Sequence, residues 1–205
     1  MSTARIDKVV VPGVFSLDGQ DFDVENNVWL VGDDDEVLVI DAPHDAGPIV
    51  EAIGGRRVTA IVLTHGHNDH ITAAVALREA TGAPLWFNPE DRMLWEMVHP
   101  TAAPDRELTD GTRFEVAGTA LTALHTPGHS PGSTCLHAPD LNTVFTGDTL
   151  FRGGPGATGR SFSDEPTILA SIRTRLLTLP DHTVVRTGHG DDSTIAAERE
   201  NVPAQ

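Results

Sequence analysis

Short β-branched runs, each closed by glycine, proline or aspartate, recur along the chain and set its predicted elements. Val28-Trp29-Leu30-Val31-Gly32 and Glu36-Val37-Leu38-Val39-Ile40-Asp41 flank the acidic turn Asp33-Asp34-Asp35, the pattern of an antiparallel hairpin. A short amphipathic helix over 46–53 ends at Gly54-Gly55, and the continuous apolar run Val58 to Thr64 predicts a strand buried on both faces. Apolar residues at helical spacing predict a helix over 71–81, stopped by Gly82. A strand over 83–87 and a helix over 89–98, with Pro89 in its first turn, follow. Further strands are expected at 113–116, 119–125, 133–137, 143–146 and 183–187. Between the last two, a helix over 163–179 carries the stripe Ile168, Leu169, Ile172, Leu176 and Leu179. The segment Arg152 to Arg160 is too glycine-rich for regular structure. Strand clusters interrupted by helices predict sheets covered on the outside by helices.

Composition narrows the classes. A chain of 205 residues fills one core and is short for two, so a single domain over 1–205 is expected. The formal charge of -16 has the wrong sign for gripping phosphate backbones or anionic lipid, which argues against nucleic acid and membrane surfaces as partners. No run reaches the roughly 20 apolar residues that cross a bilayer, and Val9-Val10-Val11 before Pro12-Gly13 is no signal-peptide core. The lone Cys135 cannot form an intramolecular disulfide, and a reducing, cytoplasmic location is the expectation.

The candidate chemistry lies in histidine. His65-x-His67-x-Asp69-His70 leaves the end of the buried strand, and three imidazoles with a carboxylate in six residues are costly to bury without a shared partner. A divalent metal is such a partner, because imidazole nitrogen and carboxylate oxygen suit zinc and iron when sulfur is absent. Neighbouring residues of one turn cannot all aim at one centre, so two ions are inferred. The remaining ligands are sought at other strand ends: His129 in Thr126-Pro127-Gly128-His129-Ser130, Asp148 in Thr146-Gly147-Asp148-Thr149, and His189 in Thr187-Gly188-His189-Gly190. His44, His99, His137 and His182 read as ordinary solvent-exposed or hydrogen-bonded histidines, and His125 as packing. Asp41 and Thr64 lie at strand ends beside the cluster, where they would fix imidazole tautomers.

These seven residues, in this order and spacing, resemble the metallo-β-lactamase superfamily, most closely its glyoxalase II-like branch, from Asn27-Val28-Trp29-Leu30-Val31 to His189-Gly190. The resemblance implies a mixed α/β (α+β) fold, a four-layer αββα sandwich with the metals at one edge. It implies one ion held by His65, His67 and His129, a second by Asp69, His70 and His189, and Asp148 bridging. Zinc is the expected metal in both positions, with iron or manganese as alternatives.

Two cations bring a shared water towards ionisation near neutral pH, so the chemistry implied is hydrolysis of a carbonyl, with Asp69 orienting the nucleophile and passing on its proton. The resemblance points to thioesters of small thiols, S-acyl conjugates of the glutathione or mycothiol type. Arg152 and Arg160 are candidates for meeting an anionic substrate group. His67 in the second slot argues against the flavodiiron branch, and the ligand set departs from the Cys-containing β-lactamase pattern, so antibiotic hydrolysis is not expected. The alternatives are a mononuclear iron persulfide dioxygenase and a lactone or ester hydrolase. The partner is a small-molecule substrate, and the assembly expected is a monomer or homodimer.

Overall fold

The computed structural model describes residues 4–203, so the extreme ends of the expected 1–205 unit lie outside it. One sheet follows chain order: β1 (Arg5–Leu17), β2 (Gln20–Gly32), β3 (Glu36–Ile40), β4 (Arg57–Val62), β5 (Leu85–Phe87) and β6 (Arg106–Glu107). The first three strands are antiparallel neighbours, and β3 to β6 run parallel. The second sheet takes β7 (Arg113–Val116), β8 (Thr119–His125), β9 (Thr134–Ala138) and β10 (Thr143–Gly147). After a two-residue pair, β11 (Leu150–Phe151) with β12 (Gly154–Pro155), it is completed by β13 (Val184–Thr187) and β14 (Ser193–Thr194), in the order β14-β13-β10-β9-β8-β7.

Alternation along the strands builds the layers. Leu38 and Ile40 point between the sheets with Trp29, Val31, Val62, Leu136 and Phe145, whereas Val37 and Val39 point outward. There they meet Ile49 and Ile53 of α1 (Ala46–Ile53) and, past the short α2 (Asn68–Ile71), Leu77 of α3 (Ala74–Thr81). Trp95 of α4 (Arg92–Val98) closes that layer. On the other side Cys135, Val144 and Val185 meet Ile168 of α5 (Glu165–Ser171), Ile172, Leu176 and Ile195 of α6 (Ile195–Glu198). Helix, sheet, sheet, helix is the expected αββα sandwich. Each fully buried large apolar side chain contributes about 1.5–3 kcal/mol relative to exposure.

Several elements depart from the sequence reading. That reading places no strand before Val28, yet β1 and the first half of β2 form a long hairpin turned at Asp18 and Gly19, with φ 54° and 71°. Pro12 sits on its edge strand, where a missing N–H breaks no ladder. The helix expected over 71–81 is two pieces, α2 and α3, separated at residues 72–73. The helix expected over 163–179 is α5 followed by a wider π turn, Ile172–Leu176, which keeps Ile168, Ile172 and Leu176 on one buried face. Within the glycine-rich 152–160 segment, Gly154–Pro155 pairs back on Leu150–Phe151.

Candidate metal centre

All seven candidate ligands come from the segments that follow strands at one end of the sandwich. His65 and His67 follow β4, and Asp69 and His70 lie in α2, whose N-cap is His67. His129 lies between β8 and β9, Asp148 follows β10, and His189 follows β13. The structure brings them together. His67 Nδ1 is 3.0 Å from His65 Nε2 and 3.0 Å from His129 Nε2, a first group of three nitrogens. In a second group, His189 Nε2 is 3.2 Å from Asp69 Oδ2 and 3.2 Å from His70 Nε2, which is 3.6 Å from Asp69 Oδ2. Asp148 stands between them, with Oδ1 3.3 Å from His70 Nε2, and Oδ2 3.4 Å from His189 Nε2 and 3.6 Å from His129 Nε2.

Close packing alone does not satisfy this cluster. Among the described residues, His67 Nε2, Asp69 Oδ1 and Asp148 Oδ1 are buried without a hydrogen-bond partner, a costly arrangement for a cluster aimed at itself. Five imidazoles and two carboxylates, gathered in groups of three ligand atoms, fit divalent cations of the zinc and iron class.

The outer nitrogens of the other imidazoles are held from behind, which orients each ring. His65 Nδ1 meets Thr64 Oγ1 at 3.1 Å, and His70 Nδ1 meets Asp41 Oδ2 at 2.8 Å. Asp41, at φ 65°, also accepts from Thr64 N and Thr64 Oγ1 at 2.7 and 2.9 Å, so the two strand-end residues form one brace. His129 Nδ1 donates to the Ala157 carbonyl at 2.9 Å, and His189 Nδ1 to the Glu25 carbonyl at 2.8 Å. The glycine-rich loop and the N-terminal hairpin therefore each support a ligand. Gly188 has no alternative beside His189: a Cβ there would overlap Asp148 Oδ1 and His70 Cε1.

The two groups hold their protons differently. Burial drives His65 well below its ordinary pKa and His67 down to about 3, aided by neighbouring imidazoles. For His70 and His189 burial acts in the same direction but is overcome by Asp148 and Asp69, with Asp41 also acting on His70. His70 rises well above its ordinary value and His189 rises to about 10. Burial opposes ionisation of Asp148 and Asp69 too, yet the facing His70 and His189 hold both carboxylates below their ordinary range.

An open cavity of ≈ 920 Å³ lies over the cluster, and its lining includes the apolar Val14, Phe15, Phe151 and Ala157 and the acidic Asp23 and Glu25. The structure places the two candidate substrate arginines outside that lining. Arg152 pairs with Asp191 at 3.1 Å on the surface; Arg160 bonds Gln20 at 3.0 Å and stacks 4.6 Å from the Phe22 ring centre. His99, His125 and His182 bond Ile71 O, Pro131 O and Asn142 Oδ1, and half-buried His137 lies in β9.

Three residues at the site carry no assignment from the sequence. Asn26, fully buried, directs its amide nitrogen into the second group. His44, which reads as an ordinary histidine, bonds Asn26 Oδ1 at 2.8 Å. Asp91, also fully buried, accepts from Gly66 N at 2.7 Å, Ser130 Oγ at 2.6 Å and Gly132 N at 2.5 Å, joining the His65 and His129 loops. The polar doublet Asn26-Asn27 opening an apolar run was the available signal for the first. Asp91, inside Pro89-Glu90-Asp91, looks like an ordinary acidic helix start.

Comparison with known proteins agrees with this geometry. The sequence model of the metallo-beta-lactamase superfamily matches residues 22–189. The hydroxyacylglutathione hydrolase GloC of Haemophilus influenzae is 33% identical over 195 residues, covering 87% of this chain and 92% of its own. The crystal structure of TTHA1623 in a di-iron-bound form superposes with a TM-score of 0.78 at 31% identity, covering 95% of this chain and 99% of that one. That of the BLEG-1 B3 metallo-beta-lactamase superposes with a TM-score of 0.79 at 29% identity, covering 94% and 98%.

Proposed function

The chain belongs to the metallo-beta-lactamase superfamily, and from that premise we propose that it is a binuclear hydrolase acting on thioesters of a small thiol. The observation that carries this reading is the convergence of the seven side chains into two groups of three that meet at Asp148, beneath an open cavity. His65, His67 and His129 would hold one cation, Asp69, His70 and His189 the other, and Asp148 would touch both. Zinc is the metal proposed first, with iron the closest competitor given the di-iron neighbour.

Bound there, divalent cations supply Lewis-acid activation of water and of a substrate carbonyl. The protein's own groups do the rest. Asp69 reaches the second group through Oδ2 and keeps Oδ1 without a partner among the described residues, so Oδ1 is the atom assigned to orient the attacking water and hold its proton. Val14, Phe15, Phe151 and Ala157 in the cavity lining give an acyl chain apolar surface to pack on. A thioester suits this site because a thiolate departs with little protonation. The hydroxyacylglutathione hydrolase relative supports the same class.

The test is a turnover screen on zinc-, iron- and manganese-loaded protein with metal content measured alongside. S-acyl conjugates of glutathione and of an uncharged thiol, a lactone, a β-lactam and a thiol persulfide make up the panel. Thioester turnover with about two ions per chain is expected. A single iron per chain with oxygen consumption on the persulfide would overturn the reading, as would turnover confined to the lactone or the β-lactam.

A further inference from the structure

The cavity over the ligand cluster has a charge pattern of its own. Apart from the candidate ligands, the charged side chains in its lining are Asp23 and Glu25, and among the described residues no lysine or arginine lines it. Strand register explains how both carboxylates come to that wall. In β2, Trp29 and Val31 point between the sheets, and side chains two apart share a face, so Glu25 and Asp23 continue this face beyond the packed core. Their partners across the ladder, Pro12 opposite Glu25 and Val14 opposite Asp23, lie on the same face and line the cavity as well. Both acidic residues are exposed there.

The positive charge that could offset them is committed elsewhere. Lys8 Nζ donates to Gly190 O at 2.9 Å and lies 5.3 Å from the Trp29 ring centre. Arg152 pairs with Asp191, and Arg160 turns to Gln20 and the Phe22 ring. The formal charge of -16 on the whole chain adds a background of the same sign.

Magnitude decides whether this matters to a substrate. A volume of ≈ 920 Å³ is roughly 10 Å across, about one screening length at physiological salt, so a charge anywhere in it feels both carboxylates. Attraction of the carbonyl to the ligand cluster is common to every thioester; what differs between thiols is the arm beyond the sulfur. A glutathione arm carries two carboxylates and one ammonium, and sets like charge against like along this wall.

We propose that Asp23 and Glu25 are specificity-determining residues that disfavour anionic thiols, so that the substrate is the thioester of a thiol bearing no carboxylate. This rests on the thioester-hydrolase reading above and narrows it: the reaction class of the GloC relative is kept, and the glutathione of that relative's name is not. Discrimination comes from a repulsive element built into the wall rather than from an added attractive contact.

The test compares two compounds on one frame, S-acetylglutathione and its analogue with both carboxylates replaced by carboxamides. Thiol release is followed on metal-loaded wild type and on Asp23→Asn/Glu25→Gln, and binding of the corresponding unreactive S-propyl thioethers is measured in parallel by calorimetry. Both substitutions keep the side-chain shape, and the Glu25 carbonyl that supports His189 stays in place. In the wild type the carboxamide should be favoured by about 10-fold in kcat/KM, through KM, and by a similar factor in Kd. Raising salt from about 0.02 M to about 0.5 M should compress both ratios, and the double variant should bring them within about 2-fold of each other. Because a ratio is read, a general loss of activity in the variant leaves the comparison intact. A wild-type protein that binds or turns over the glutathione compound at least as well as the carboxamide overturns the proposal. So does a preference that survives the double substitution unchanged. If neither thioester turns over, the hydrolase reading falls, whereas the selectivity is still judged by the thioether affinities, which separates the two failures.

Discussion

The two candidate metal positions are built from similar side chains but are prepared in opposite ways. At His65, His67 and His129 the environment is imidazole-rich, and burial holds His65 and His67 below their ordinary pKa, favouring their neutral forms. At Asp69, His70 and His189 the carboxylates dominate, and they hold protons on His70 and on His189, the latter up to about 10. The first position is thus preset as a nitrogen ligand set. The second is a charge-compensated polar cluster that must exchange protons for a cation. Imidazoles behave differently in the two places because the neighbouring charges differ.

The severest way to break this contrast is to remove the residue both positions share. Asp148→Ala deletes the carboxylate that faces His129, His70 and His189, so both positions should lose affinity together and hydrolysis should fall on the order of 10³-fold. Metal content and turnover of the same preparation provide the check. If Asp148→Ala empties one position and leaves the other at wild-type occupancy, the carboxylate serves one ion only.

The second prediction sharpens the contrast through pH. At about pH 7.5, His70 and His189 carry protons in the metal-free protein and lose them on loading, whereas His65 and His67 have none to release. Apparent affinity of the second position should therefore rise by up to about 100-fold per pH unit between pH 7 and 9, if both protons leave, while the first stays flat. A titration in weakly buffered solution with an indicator dye would count the protons for each event. The linkage sign also fixes stability. Groups raised above an unfolded value of about 6.5 stabilise the folded state fully below that pH, and the contribution is lost as pH rises towards about 10. Metal-free protein should thus show a falling Tm across this window. Equal proton release from both events would erase the distinction.

How far the sequence reached depends on how local each feature is. The His65 to His70 turn is legible because its ligands sit within six residues at the end of an apolar, β-branched strand. The continuous apolar runs of β3 and β4 likewise announce buried strands, and the covering helices follow from their apolar stripes. The β1–β2 hairpin is hidden because Pro12-Gly13 interrupts its pattern, and only pairing with β2 makes that interruption tolerable on an edge. Asn26 is hidden for a related reason: its partners are 43, 44 and 163 residues away, and nothing in its immediate neighbours reveals them. The roles of Ala157 and Glu25 are carried by backbone carbonyls, which leave no residue-type signature at all. For Arg152 and Arg160 the sequence offers only a place in a loop following Asp148; Asp191 pairs with the first, and Gln20 and the Phe22 ring contact the second.

The mildest perturbation probes what keeps the first position rigid. Asp91 takes three donors at once, Gly66 N from the loop bearing His65 and His67, and Ser130 Oγ and Gly132 N from the loop bearing His129. It packs so closely against the second loop that a Cβ at Gly132 would collide with its carboxyl carbon and backbone nitrogen, while a Cβ at Gly66 would collide with Leu94 and press on Asp91 Cβ. Burial pushes its pKa up, against the donors from Ser130, Gly132 and Gly66 that favour the charged form. Asn at this position preserves the shape but turns one acceptor into a donor facing another N–H, so one buried pairing is lost at a cost of about 1–3 kcal/mol. Asp91→Asn should therefore lower the Tm of the metal-free protein and weaken the first binding event by about tenfold through looser placement of His65, His67 and His129. The second event should keep its affinity, because Asp69, His70 and His189 are braced by Asp41, Asn26 and the Glu25 carbonyl instead. Equal weakening of both events would mean that the two positions share one rigid frame, and that their difference lies in charge alone.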